Sequence, residues 1–189
     1  MTVAFPSSSL RLAVDAVVFG YRRQQVSVLL VRRNLEPLGW ALPGGFVRDD
    51  EDLETAVRRE LAEETGITVQ YLEQLYTFGE VARDPRGRVV SVAHYALVKP
   101  DAFALSAATD ADEARWFDVK ALPDLLFDHA AIVAYALRRL RAKLTYEPVG
   151  FGLLPDEFLF SDLENLYATL LDRPVDRRNF RKKVLGFGI

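Results

Sequence analysis

Residues 45–67, GFVRDDEDLETAVRRELAEETGI, constrain this chain more than any other stretch, because they set acids on the apolar side of a helix. At roughly 100° per residue, Glu60 and Glu64 fall with Leu53 and Val57, while Glu51, Glu54 and Arg58 fall opposite. Carboxylates held toward an interior lose hydration and repel one another, so they must be protonated, paired or bound to cations. Mg²⁺ or Mn²⁺, hard ions that take oxygen ligands and keep waters for phosphate oxygens, suit such a set. The competing reading is a charged surface helix laced with i,i+4 pairs such as Glu54 to Arg58. Ahead of the helix, Pro43-Gly44-Gly45 forms a tight loop whose backbone can approach a phosphate or metal closely. Gly66 supplies a left-handed stop.

The whole chain bounds the alternatives. Its 189 residues suit one domain, or one domain with a small appendage, and half of them are apolar, enough for a real core. No apolar run is long enough to span a membrane, and MTVAFPSSSL lacks the basic flank and hydrophobic stretch of a signal peptide. With no cysteine, disulfides, thiol catalysis and zinc-finger chemistry are excluded, and a cytoplasmic location is expected. The net charge of −3 divides unevenly, because residues 172–189 carry a local excess of four positive charges. Nucleic acid is a natural partner for that end.

Along the chain, Leu12–Phe19 and Val26–Val31 read as strands across a polar turn, Gly20 to Gln24. Trp40-Ala41-Leu42 leads into the glycine loop and a helix over Asp52–Thr65. Further strands are predicted at Tyr71–Phe78, Val89–Val98 and Ala114–Val119, with a cation-rich turn, Arg83 to Arg88, and a loop over Pro100–Asp112. Ile132, Ala136, Leu140 and Leu144 at four-residue spacing make Asp128–Leu144 an amphipathic helix. His94 and His129 read as core or cap residues, and Trp40 and Trp116 as core or sheet-edge aromatics.

Tyr146–Pro155, with two prolines and two glycines, reads as a linker, dividing the chain into 1–145 and 146–189. Beyond it, Ser161 and Glu164 fit a capping box, followed by Leu163, Leu166, Tyr167 and Leu170 at helical spacing. Asp176 is the N-cap expected for a second helix, Arg177–Leu185. Its apolar side is Phe180 and Val184, leaving Arg177, Arg178, Asn179, Arg181, Lys182 and Lys183 exposed, the first five of them as the DNA contacts. Two helices across a short turn, the second basic, make a helix-turn-helix candidate.

Gly45, Glu51, Arg59, Glu60, Leu61, Glu63, Glu64, Gly66 and Ile67 also match the Nudix box without a departure. Beyond the box, LEQLYTFGEVARDPRGRVVSVAHYALV, WFDVKALPDLLFDH and DRPVDRRNFRKKVL resemble the Nudix branch that holds ADP-ribose pyrophosphatases and Nudix-related transcriptional regulators. The resemblance implies an α/β fold, the Nudix α/β/α sandwich with a mixed sheet, followed by a small winged helix-turn-helix module. It implies Mg²⁺-dependent cleavage of ADP-ribose to AMP and ribose 5-phosphate. The alternative is a DNA-binding regulator that senses ADP-ribose. Gly45, Glu60, Glu63 and Glu64 are the expected metal site, and Arg59 fixes a neighbouring carboxylate. Glu80, Glu113 or a box glutamate is the general base, and Arg83, Arg86 and Arg88 meet the nucleotide. A homodimer and a double-stranded DNA operator are the expected partners. The chain stops at Gly186-Phe187-Gly188-Ile189, where a winged helix continues into its β-wing, so either the sequence is truncated or the winged domain is incomplete.

Overall fold

The structure, a computed structural model, describes residues 10–100 and 111–186. Strand β1 (Arg11–Arg22) is β-branched and apolar over most of its length and is buried from Ala13 to Gly20, which puts it inside the sheet. It pairs in parallel with β6 (Val89–Val98) over ten residues. Its other edge is shared between two antiparallel partners. β2 (Gln25–Arg33) takes Phe19–Arg22, and β4 (Gly44–Phe46) takes Ala13–Asp15. β5 (Leu72–Phe78) lies antiparallel to β6, while β3 (Gly39–Ala41) and β7 (Ala111–Asp118) both pair antiparallel with β2. The sheet is therefore mixed, as expected, and it forks where β1 exchanges β2 for β4.

Alternate β1 side chains serve two cores. Val14, Ala16 and Val18 pack with Ala56, Val57 and Leu61 of α1 (Leu53–Thr65). Val17 and Phe19 pack on the other face with Ile132, Ala136 and Leu140 of α2 (His129–Lys143). That second core continues without a break into Leu163, Leu166, Tyr167 and Leu170 of α3 (Phe160–Leu171) and Phe180 and Val184 of α4 (Arg177–Leu185). The predicted ends of α1 and α4 hold. Asp52 accepts the Thr55 N–H at 2.8 Å, Gly66 sits at φ 71°, and Asp176 accepts the Asn179 N–H at 2.8 Å.

Several expectations change. The first turn shrinks to Arg23 and Gln24, both at positive φ, because Arg22 still pairs with Gln25. β4 had no hydrophobic run to betray it. Within the predicted linker, Val149–Leu153 forms a 3₁₀ turn with Gly150, Leu153 and Leu154 buried, so apolar anchors outweigh the prolines and glycines there. The predicted capping box is displaced: α3 begins at Phe160, the Leu159 N–H donates to Asp162 at 2.9 Å, and Ser161 lies inside the helix. Glu164 instead pairs with Arg177 of α4 at 3.1 Å. Residues 101–110 of the predicted loop, and the last three residues, lie outside the described residues, and Ala111 and Asp112 already belong to β7.

Candidate functional site

The fork in the sheet opens a cleft of about 280 Å³, lined among others by Asp15, Phe46, Glu60, Glu64, Arg86 and Phe127. Its floor is where α1 meets the glycine loop. The Gly44 N–H donates to Glu64 at 2.9 Å, and Glu64 is only 7% exposed. A Cβ on Gly44 would overlap the Val14 carbonyl oxygen, and one on Gly45 would overlap the Glu60 carboxylate. Glycine is therefore required at position 44, where the neighbour is backbone, whereas at position 45 the Glu60 carboxylate would have to give way. Burial pushes the Glu64 carboxyl up to about 8, with Glu60 adding repulsion against the Gly44 bond. Burial also raises Glu60, despite Arg59 beside it.

Arg59 is the clamp on this acidic helix. It donates to Glu51 at 2.6 and 2.9 Å, to Glu60 at 2.7 Å, to Glu63 at 3.1 Å and to the Phe46 carbonyl at 3.2 Å. Those bonds hold Glu51 at about 2. Arg59 thus positions carboxylates, as expected from sequence.

Behind Glu64 lies a buried polar network that sequence reading missed. Asp15 accepts from Ser91 at 2.5 Å and from Arg83 at 3.2 Å. His129 Nδ1 accepts the Leu42 N–H at 2.9 Å, which turns Nε2 toward Asp15 at 3.4 Å. Burial would raise Asp15, but His129, Ser91 and Arg83 together hold it at about 2. Arg83 is completed by Asp128, which accepts two bonds at 2.6 and 2.9 Å. At the mouth, Arg86 is paired with Asp84 at 2.7 Å and lies 5.2 Å from the Phe127 ring centre and 5.8 Å from that of Phe46. Cation and aromatic faces together suit a phosphate joined to a planar base.

The predicted residues divide accordingly. Gly45, Glu60, Glu64, Arg83 and Arg86 line the cleft. Glu63 does not; it reaches outward to Arg48 and Arg59. Glu80 is exposed and Glu113 is paired with Arg115, and neither lines the cleft, so the geometry does not bring either candidate base to Glu60 and Glu64. Arg88 is turned away to the Gly79 and Glu80 carbonyls. Arg83 is within the cleft but committed to Asp15 and Asp128 rather than free for a phosphate. Trp40 packs edge-on against Phe117 and does not line the cleft. On α4, Arg177, Arg178, Asn179, Arg181 and Lys182 are all exposed, with Arg177 paired to Glu164 and Arg181 over the Phe160 ring. Lys183, expected exposed, is instead half-buried because it donates to the Leu144 carbonyl at 3.1 Å.

Among the described residues no group of three or more acids and histidines is already gathered as a metal site. Two carboxylates nevertheless fit one: Glu60 and Glu64 share the cleft, both are disfavoured as anions, and a hard cation held by them would relieve both.

Fork, acidic helix and flanking helices together define a Nudix protein, and residues 9–140 match the NUDIX domain model, so the chain belongs to the Nudix family. Residues 150–189 match the NrtR DNA-binding winged helix domain, which marks the NrtR-type branch. The chain is 34% identical over 184 residues to the ADPR responsive transcriptional repressor NtrR of Acinetobacter baylyi, covering 94% of this chain and 73% of that one. It is 37% identical over 129 residues to the ADP-ribose pyrophosphatase of Methanocaldococcus jannaschii, covering 67% and 73%. The crystal structure of Shewanella oneidensis NrtR superposes with a TM-score of 0.83 at 37% identity, covering 93% of this chain and 85% of that one. That protein has also been solved with a 27mer DNA, and its NUDIX domain with ADP ribose. Among the described residues no helix is long and apolar enough to cross a membrane.

Proposed function

We propose that this chain is a DNA-binding regulator that responds to ADP-ribose, with residues 1–145 as the nucleotide sensor and 146–189 as the DNA-reading module of a homodimer. One observation carries this reading: the exposed basic face of α4 is rooted, through Phe180 and Val184, in the same core as the helix that begins at the cleft. Similarity to a repressor described as ADPR responsive supports it. The phosphates of the ligand would meet Arg86 directly and the carboxylate pair only through a divalent cation, with a base against Phe46 or Phe127.

A second reading, hydrolysis of ADP-ribose, is favoured by the intact box and by Glu60 and Glu64 sharing the cleft. Those two residues would hold Mg²⁺, with Arg59 orienting Glu60. When bound, the ion would neutralise pyrophosphate charge and lower the pKa of a water.

The test has two arms. Fluorescence anisotropy with a duplex from the chain's own promoter region, with and without ADP-ribose, reads the regulator; salt-sensitive binding weakened by ADP-ribose supports it, and no binding overturns it. A ³¹P NMR time course with excess ADP-ribose and Mg²⁺ reads the enzyme. AMP appearing over many turnovers, and lost in Glu64→Gln, establishes hydrolysis; unchanged ADP-ribose excludes it.

A further inference from the structure

Helix α2 has one end in the cleft and the other against the DNA-reading module. Fifteen residues long, it spans about 22 Å at ~1.5 Å per residue. At its start, Asp128 is the N-cap residue, yet its side chain caps no backbone N–H. The carboxylate is given to Arg83, which lines the cleft and also holds Asp15. Next to it, Phe127 is a non-glycine residue at φ 56°, a conformation that stores strain.

At the other end, Arg141 Nε donates to the Leu170 carbonyl at 2.6 Å, at the last turn of α3. The Leu144 carbonyl, just past α2, accepts from Lys183 of α4 at 3.1 Å. Leu140 and Leu144 are fully buried in the core that holds Phe180 and Val184. Lys143 binds Glu73 and Tyr71 of the sheet edge, which pins this end of the helix in place. At the start His129 still accepts the Leu42 N–H, so a loosened Asp128 lets the helix shift about its fixed points rather than come free, and the shift is felt by whatever is packed on the far end.

We infer that α2 is the lever between the two sites: an anionic pyrophosphate in the cleft draws Arg83 from Asp128, and Arg141 and Lys183 pass the resulting shift to α3 and α4. The inference rests on the regulator reading above and supplies its physical link. A pyrophosphate carries more charge than the single Asp128 carboxylate it replaces and accepts the same planar donor fork. Binding energy is thereby exchanged between Arg83 partners rather than added, so the two sites are coupled in both directions.

The experiment measures affinity for ADP-ribose by calorimetry, and for the promoter duplex by anisotropy with and without saturating ADP-ribose. It compares the wild type with Arg141→Met, Lys183→Met and Asp128→Asn, each checked for folding by circular dichroism. Neither Arg141 nor Lys183 belongs to the cleft or to the exposed face of α4. In the wild type, ADP-ribose should weaken DNA binding by about tenfold or more, within the usual range of allosteric coupling. Arg141→Met and Lys183→Met should keep each separate affinity within about threefold and cut the coupling to about twofold or less. Asp128→Asn should mimic the ligand, binding ADP-ribose several-fold tighter and DNA several-fold weaker. Arg141→Met with both affinities and full coupling intact overturns the lever while leaving the regulator standing. A wild type whose DNA affinity ignores ADP-ribose overturns both.

Discussion

The Gly44 N–H donates to the Glu64 carboxylate at 2.9 Å, and this bond ties the acidic helix to the strand that forks from β1. A buried carboxylate is held in place by backbone rather than by a neighbouring cation. The loop and the helix are consequently one unit, and the loop glycines fail differently when replaced.

Gly44→Ala forces a methyl group into the Val14 carbonyl oxygen, which is backbone and cannot turn aside. Chemical denaturation should show a loss of about 1–3 kcal/mol, the usual range for overpacking. Gly45→Ala meets only the end of the Glu60 side chain, which can swing away. Stability should change by less than about 1 kcal/mol. Mg²⁺ affinity, read by calorimetry, should nonetheless fall, because Glu60 leaves its position. Equal stability losses in the two variants would contradict this division.

Glu64 makes metal-free stability depend on pH. Its carboxyl titrates at about 8 in the folded protein against 4.5 as the ordinary value, so between those values the folded state holds a proton that the unfolded state has released. Stability is therefore greatest below the ordinary value and is lost as pH rises toward 8. In EDTA, the melting temperature should drop between pH 5 and pH 8 by on the order of 5–10 °C, the change expected for a few kcal/mol in a chain this size. Glu64→Gln should flatten that drop. Mg²⁺ should restore stability at pH 8 more than at pH 5, since it binds the deprotonated form. A melting temperature that rises over this interval in the metal-free wild type would refute the assignment.

Legibility in the sequence followed helical phase. Glu60 and Glu64 share the stripe of Leu53 and Val57, and they do line the cleft. Glu63 lies off that stripe and one turn after Arg59, so it pairs outward with Arg59 instead of facing the cleft. The pairing of Asp128, Arg83 and His129 was hidden because their partners lie 45 to 114 residues away along the chain. The sequence reading passed over Asp15, although a lone acid in an apolar strand is a signal that a buried partner is needed. The linker reading failed at Leu153 and Leu154, because composition counts prolines and glycines but not the apolar surface that a docked segment finds. The capping box failed by two residues, since Asp162 could serve Leu159 as well as Glu164 could serve Ser161.

Pairing, not exposure, separates the basic residues of α4 into two groups. Arg178 and Lys182 lie one turn apart, both exposed and free of any described ion pair, so under the regulator reading they would neutralise phosphates. Arg177 is held by Glu164 at 3.1 Å, and that attachment must be given up before it can reach DNA. Arg178→Ala and Lys182→Ala should each weaken binding to any duplex sequence and lower the slope of log affinity against log salt by about 1. Arg177→Ala should change the slope less. The measurement is anisotropy across a salt series with promoter and scrambled duplexes. A steeper loss for Arg177→Ala than for Lys182→Ala would mean that α4 meets DNA through its start rather than along its exposed face.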